Sequence, residues 1–115
     1  MRIKQAALAL IVSVAAPATA QQTDPDFRII AQAYDRCMAT FAVRLTRTSA
    51  TDDAIFSQAS QACLPLKDRL RAAINTQLPR AEAGEILLAI EAQGEPNFRR
   101  MLDRIRSDRA RRDGH

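Results

Sequence analysis

Apolar residues recur along Phe27–Ile105 at helical spacing, and turn-forming residues divide this region into several segments. The first amphipathic segment runs from Phe27 to about Arg47 and predicts a helix, because its apolar positions are three and four residues apart. Asp24-Pro25-Asp26 precedes it and is typical of a helix start: Asp24 can cap free amides and Pro25 suits the first helical position. The inward positions are Phe27, Ile30, Ala31, Tyr34, Met38, Phe41 and Leu45.

A second helix is predicted after the short polar turn Thr48–Thr51, with Thr51 as its N-cap. Its apolar stripe continues to Leu78, although Pro65 falls inside the pattern. A proline within a helix removes one backbone hydrogen bond and clashes with the preceding turn. We therefore expect one helix with a kink near Gln61–Pro65.

A third helix is predicted over about Arg80–Gln93, and Gly94-Glu95-Pro96 reads as a helix stop followed by a new start. The last helix presents its apolar residues up to Ile105, and we expect Ser107–His115 to fray. The pattern predicts an all-α fold of three to four helices, most simply a helical hairpin covered by one or two shorter helices. The predicted division of the chain is a single helical domain over residues 21–106 and a frayed basic tail over 107–115.

The two cysteines, Cys37 and Cys63, are predicted to form a disulfide that joins the first two helices. Cys37 lies ten residues before the end of the first helix, and Cys63 lies eleven after the start of the second. At 1.5 Å per residue, both are about 15–16 Å from the turn between the helices, so they are level across an antiparallel pair. A redox or metal role is disfavoured, because the pair lacks C-x-x-C spacing and further ligands.

The first twenty residues have the pattern of a cleaved signal peptide. Arg2 and Lys4 precede a short apolar run, Ala6–Val12, and Ala18-Thr19-Ala20 supplies the small residues required before a cleavage site. The run is about half of the roughly 20 apolar residues that span a bilayer, so we expect cleavage after Ala20 rather than a retained anchor. The mature chain is then expected to be soluble, in the periplasm or secreted, with no transmembrane segment.

No residue pattern in the sequence indicates catalysis, a cofactor or a metal site. The single histidine is His115, at the end of the predicted tail, and the three glycines are isolated from one another. A nucleophile–histidine pair and a phosphate-binding loop are therefore both disfavoured. We expect the protein not to be an enzyme, with no catalytic residues and no cofactor.

Charge is distributed unevenly along the predicted mature chain. Residues 21–95 contain eight basic and ten acidic residues, whereas residues 96–115 contain seven and three. Asp103 and Asp108 can pair with Arg106 and Arg112 at helical spacing, which would weaken the positive field. The arginines of this segment are Arg99, Arg100, Arg104, Arg106, Arg109, Arg111 and Arg112.

These seven arginines support two interpretations. Positive charge at the C-terminal end of a solvated helix is favourable by itself, so the cluster need not be functional. Alternatively, the seven arginines form a contact for an anionic partner, either an unknown protein or an anionic membrane surface, because guanidinium groups bind carboxylate and phosphate in two-pronged geometry. Nucleic acid is disfavoured, since no aromatic residues are interleaved with the arginines.

Two functional hypotheses follow from the sequence. The first is a small non-enzymatic interaction or binding module of the cell envelope that uses its basic C-terminal helix. The second is a periplasmic stress chaperone or holdase, because the overall plan is similar to that of small acid-activated periplasmic chaperones, which are also helical and stapled by one disulfide. Both hypotheses leave the partner and the oligomeric state open.

Overall fold

The computed structural model describes residues 25–114, so the predicted signal peptide lies outside the described residues. Those residues form four α-helices and contain no strand, which confirms the predicted all-α fold. The helices are α1 (Phe27–Leu45), α2 (Asp52–Ala62), α3 (Leu64–Gln77) and α4 (Arg80–Asp113).

The helices pack as an up–down–up bundle in which α2 and α3 together form the descending arm. One hydrophobic cluster joins the end of α1, the length of α2 and the C-terminal half of α4; its buried members include Met38, Ile55 and Leu102. A second cluster joins the start of α1, α3 and the N-terminal half of α4, around Ile30 and Ile74. α4 thus runs in the same direction as α1 and contacts both clusters.

Side-chain caps stabilise the N-terminal starts of α1 and α2. Asp26 caps α1, since its Oδ1 accepts a hydrogen bond of 2.7 Å from the Arg28 amide. The Gln77 side chain at the end of α3 also receives the Phe27 amide, at 2.8 Å, and ties the start of α1 to the opposite arm. The predicted Thr51 cap is confirmed, because its hydroxyl accepts from the Ala54 amide at 3.2 Å. These contacts satisfy amides that have no partner within their own helix.

The prediction of one kinked helix around Pro65 was wrong. α2 ends at Ala62, and α3 begins at Leu64 with Pro65 in its first turn. Proline has no amide hydrogen to lose there, because the first amides of a helix have no intrahelical acceptor. The Cys63 carbonyl starts the new helix by accepting from the Leu66 and Lys67 amides, both at 3.1 Å.

The predicted helix stop at Gly94-Glu95-Pro96 was also wrong, because α4 is one helix of 34 residues. Its apolar residues lie on the same face before and after this point, so a continuous helix can contact both clusters. Pro96 removes one backbone hydrogen bond from α4, and the packing of the continuous helix against both clusters compensates for this loss. Ser107–Asp113, where fraying is predicted, belongs to the last turns of α4, and fraying in solution stays a prediction.

The predicted disulfide between Cys37 and Cys63 is present, with the two Cα atoms 6.0 Å apart. It joins the middle of α1 to the junction between α2 and α3. Cys63 is 1% exposed and belongs to the first hydrophobic cluster. The bond therefore fixes the point at which the descending arm changes from one helix to the next.

Removal of the disulfide by Cys37→Ala/Cys63→Ala should lower the free energy of unfolding by about 3 kcal/mol, because the unfolded chain regains the freedom of a loop closed over 26 residues. Urea denaturation of the variant, and of the wild type with and without reductant, measures this change. An unchanged denaturation midpoint would show that the disulfide does not stabilise the fold.

The continuity of α4 can be tested at Gly94, whose added Cβ would meet no atom within 4 Å. Gly94→Ala should raise the free energy of unfolding by about 1 kcal/mol, because alanine favours a helix interior. Gly84→Ala, also in open space within α4, is the matched control and should give a similar gain. If α4 ended in a left-handed glycine at position 94, alanine would instead destabilise the protein.

Candidate functional site

The seven arginines of the C-terminal segment all lie on α4, and the structure divides them into two groups. Arg99, Arg106 and Arg109 contact other helices of the domain and are partly buried. Arg100, Arg104, Arg111 and Arg112 are exposed. The predicted contact of all seven arginines with an anionic partner stays a prediction, and the second group is the part of the cluster that is most accessible to such a partner.

Two arginines of the first group bind the acidic start of α2. The Arg106 guanidinium is 2.7 Å from the Asp52 carboxylate, and Arg99 pairs with Asp53 and with Glu95 of its own helix. The hydrogen bonds that Arg99 donates to Glu95 and Asp53 raise the pKa of its guanidinium. Asp52 and Asp53 thus interact with both the positive end of α2 and the side of α4.

Arg109 extends the contact to the end of α1. Its guanidinium donates to the carbonyl oxygens of Thr46 and Val43 at 3.3 and 3.4 Å. These carbonyls belong to the last turn of α1, where partial negative charge accumulates and intrahelical donors are lacking. Arg109 therefore links the C-terminal end of α1 to that of α4.

The exposed group presents three arginines on a single face of α4. At 100° per residue, Arg100, Arg104 and Arg111 lie within about 40° of one another and extend over about 16 Å. Arg100 donates to the neutral amide of Asn97, and Arg111 pairs with Asp108 rather than leaving that carboxylate to Arg112. Within residues 25–114, Arg104 has no acidic partner. We name Arg100, Arg104 and Arg111 the arginine face.

A cleft of about 820 Å³ adjoins the arginine face, between α1 and the middle of α4. Every residue of Glu91–Asn97 is exposed, and this stretch lies between the two hydrophobic clusters and contributes no member to either. The floor of the cleft contains the buried side chains Met38, Leu70 and Phe98. Arg104 lies at its C-terminal end, so the cleft and the arginine face share this residue.

Four titratable groups line the middle of the cleft. Glu91 binds Lys67 at 3.0 Å, and the hydrogen bond from this lysine holds the pKa of Glu91 below its usual range. Burial raises the pKa of the Tyr34 hydroxyl, and the nearby Asp35 carboxylate adds to the shift. Burial likewise raises the pKa of Asp35. The cleft is therefore a partly dehydrated environment with an apolar floor.

The sequence indicated the arginines but not the cleft. Tyr34 was expected to be a core residue together with Phe27 and Phe41; all three are half-buried and pack against the clusters, and Tyr34 also lines the cleft. The one signal of the cleft was Gly94-Glu95-Pro96, a stretch of α4 without apolar residues. Its meaning depended on the packing of both ends of α4, which the helical period alone does not reveal.

No protein-family model matches the chain, and neither a curated protein nor a solved structure matches it. Within residues 25–114, no three side chains of the metal-ligating types converge. None of the described helices combines the length and the hydropathy required to cross a membrane. The arginine face and the cleft are thus the two features on which a functional proposal can rest.

The division of the arginines predicts different effects on stability. Arg106→Ala/Arg109→Ala should lower the free energy of unfolding by about 1–2 kcal/mol, because it removes one ion pair and the hydrogen bonds of Arg109 to the C-terminal end of α1. Arg100→Ala/Arg104→Ala removes the same number of charges without an interhelical contact and should change it by less than about 0.5 kcal/mol. Urea denaturation of both variants measures the difference, and equal losses would contradict the division.

Proposed function

We propose that this protein is a small non-enzymatic binding module of the cell envelope, which contacts an anionic membrane surface through the arginine face. The carrying observation is that Arg100, Arg104 and Arg111 share one exposed face of α4, whereas Arg99, Arg106 and Arg109 bind within the domain. These three side chains can therefore contact a surface outside the domain without breaking an interhelical ion pair.

The composition of this face favours a membrane surface over a protein partner. The other residues on the same side of the C-terminal half of α4 are Asn97, Ser107 and Asp108, and Asp108 is paired with Arg111. A specific protein interface has an apolar centre surrounded by polar residues, and this side of the helix offers none. Adsorption to anionic headgroups requires no apolar contact and provides about 1 kcal/mol per basic residue near the surface.

Electrostatic binding of this kind is reversible and sensitive to salt. Arg100 and Arg104 would contribute roughly 2 kcal/mol in total at an anionic surface, and Arg111 would contribute less because it is paired with Asp108. Charges at an exposed face are screened over about 8 Å at physiological ionic strength, so adsorption should weaken steeply as salt is added.

Adsorption should be abolished by Arg100→Glu/Arg104→Glu/Arg111→Glu, because the reversed charges are repelled by anionic lipid. Co-sedimentation with vesicles of phosphatidylglycerol and phosphatidylcholine measures it, and vesicles of phosphatidylcholine alone give the background. The matched control is Arg36→Glu/Arg47→Glu/Arg69→Glu, which reverses three exposed arginines on other segments and changes the net charge equally.

Wild-type protein and the control variant should both sediment with the anionic vesicles. Equal adsorption by the two triple variants would show that net charge, and not the arginine face, determines binding. The wild type could instead fail to adsorb and cross-link in cells to one acidic protein, in a manner that depends on the arginine face. That outcome would show that the partner is a protein and not a membrane.

A further inference from the structure

The cleft between α1 and α4 is elongated along α4. Its lining on α4 runs from Ile86 to Arg104, which corresponds to a length of about 27 Å.

One acyl chain spans half of the roughly 30 Å hydrocarbon core of a bilayer. A length of about 27 Å can therefore hold one acyl chain and its headgroup.

Along α4, the lining begins with the apolar Ile86 and Ile90, continues through polar residues of Glu91–Asn97, and then passes Phe98 and Met101 before it reaches Arg104. Arg104 can therefore hold an anionic group while the buried floor of the cleft contacts an apolar tail. The carboxylates of Glu91 and Glu95 are paired with Lys67 and Arg99, so they do not compete for Arg104. Asp35, the remaining carboxylate of the lining, is on α1, one residue from Tyr34.

We propose that this cleft binds one acyl chain of a single-chain anionic lipid, whose headgroup is held by Arg104. Fatty acids and lysophospholipids share this chemistry. The tail would lie over Met38, Leu70 and Phe98, where it removes apolar surface from water at roughly 25 cal/mol per Å². The cleft is a different site from the arginine face that is proposed to adsorb to membranes, although Arg104 belongs to both.

Tyr34 provides a direct readout of occupancy. It lines the cleft and is the one tyrosine in a sequence without tryptophan, so intrinsic fluorescence reports on this site. Titration with a sixteen-carbon fatty acid below its micelle concentration should give a saturable change at one molecule per protein. A bound chain should displace water from the Tyr34 hydroxyl and raise its pKa further, which ultraviolet absorbance measures.

Gly94→Leu tests the location of the ligand. Gly94 lines the cleft, and its added Cβ would meet no atom within 4 Å, so a leucine adds a bulky side chain to this wall without a clash at its Cβ. Affinity for the fatty acid should fall at least tenfold. Gly84→Leu has the same open surroundings outside the cleft and should bind like the wild type.

Arg104→Gln tests the headgroup contact. It should weaken binding of the fatty acid about tenfold and leave binding of the uncharged sixteen-carbon alcohol unchanged. Parallel titration with lysophosphatidylglycerol distinguishes carboxylate from phosphate headgroups, and tighter binding of either one supports the proposal and identifies the source.

Equal affinity of wild type and Gly94→Leu, or no saturable binding by the wild type, would overturn the proposal. So would a wild-type protein that binds an unfolded polypeptide but no acyl chain, a result that would favour a holdase. Gly94→Leu retains every arginine and should still adsorb to anionic vesicles, so failure of the cleft proposal is distinguishable from failure of the membrane proposal.

Discussion

The packing of α4 against two separate hydrophobic clusters is the constraint on which the rest of the structure depends. The helix is anchored through Ala83 at one end and through Phe98 and Leu102 at the other. Between these anchors, Glu91–Asn97 is exposed and contributes no member to either cluster. This stretch therefore forms one wall of a cleft instead of closing the core. It also holds the C-terminal arginines beside the end of α1 and the start of α2, which they contact.

The disulfide and Pro65 determine how the descending arm, formed by α2 and α3, packs against the same two clusters. Cys63 lies between α2 and α3, and its bond to Cys37 holds this junction against the middle of α1. Pro65 allows a new helix to begin directly afterwards, since its missing amide hydrogen is not required there. Two short helices can thus follow one long helix and contribute separately to the two clusters.

Local signals in the sequence predicted the fold class, the disulfide and the Thr51 cap, because each depends on residues close together or on simple helix geometry. The breaks at Pro65 and Gly94-Glu95-Pro96 were misassigned in opposite directions. In both cases the local preference was overridden by packing: α2 ended where a kink was expected, and α4 continued where a stop was expected. The sorting of the arginines was also beyond the sequence, because Asp52 and Asp53 are more than forty residues away from Arg99 and Arg106.

The continuity of α4 is the central claim, and the ¹³Cα chemical shifts of Glu91–Asn97 in the oxidised protein test it most directly. The account predicts helical shifts throughout this stretch, continuous with those of the turns on either side. Random-coil shifts across Gly94–Pro96 would contradict it, because two independent helices would define neither the cleft nor a single arginine face.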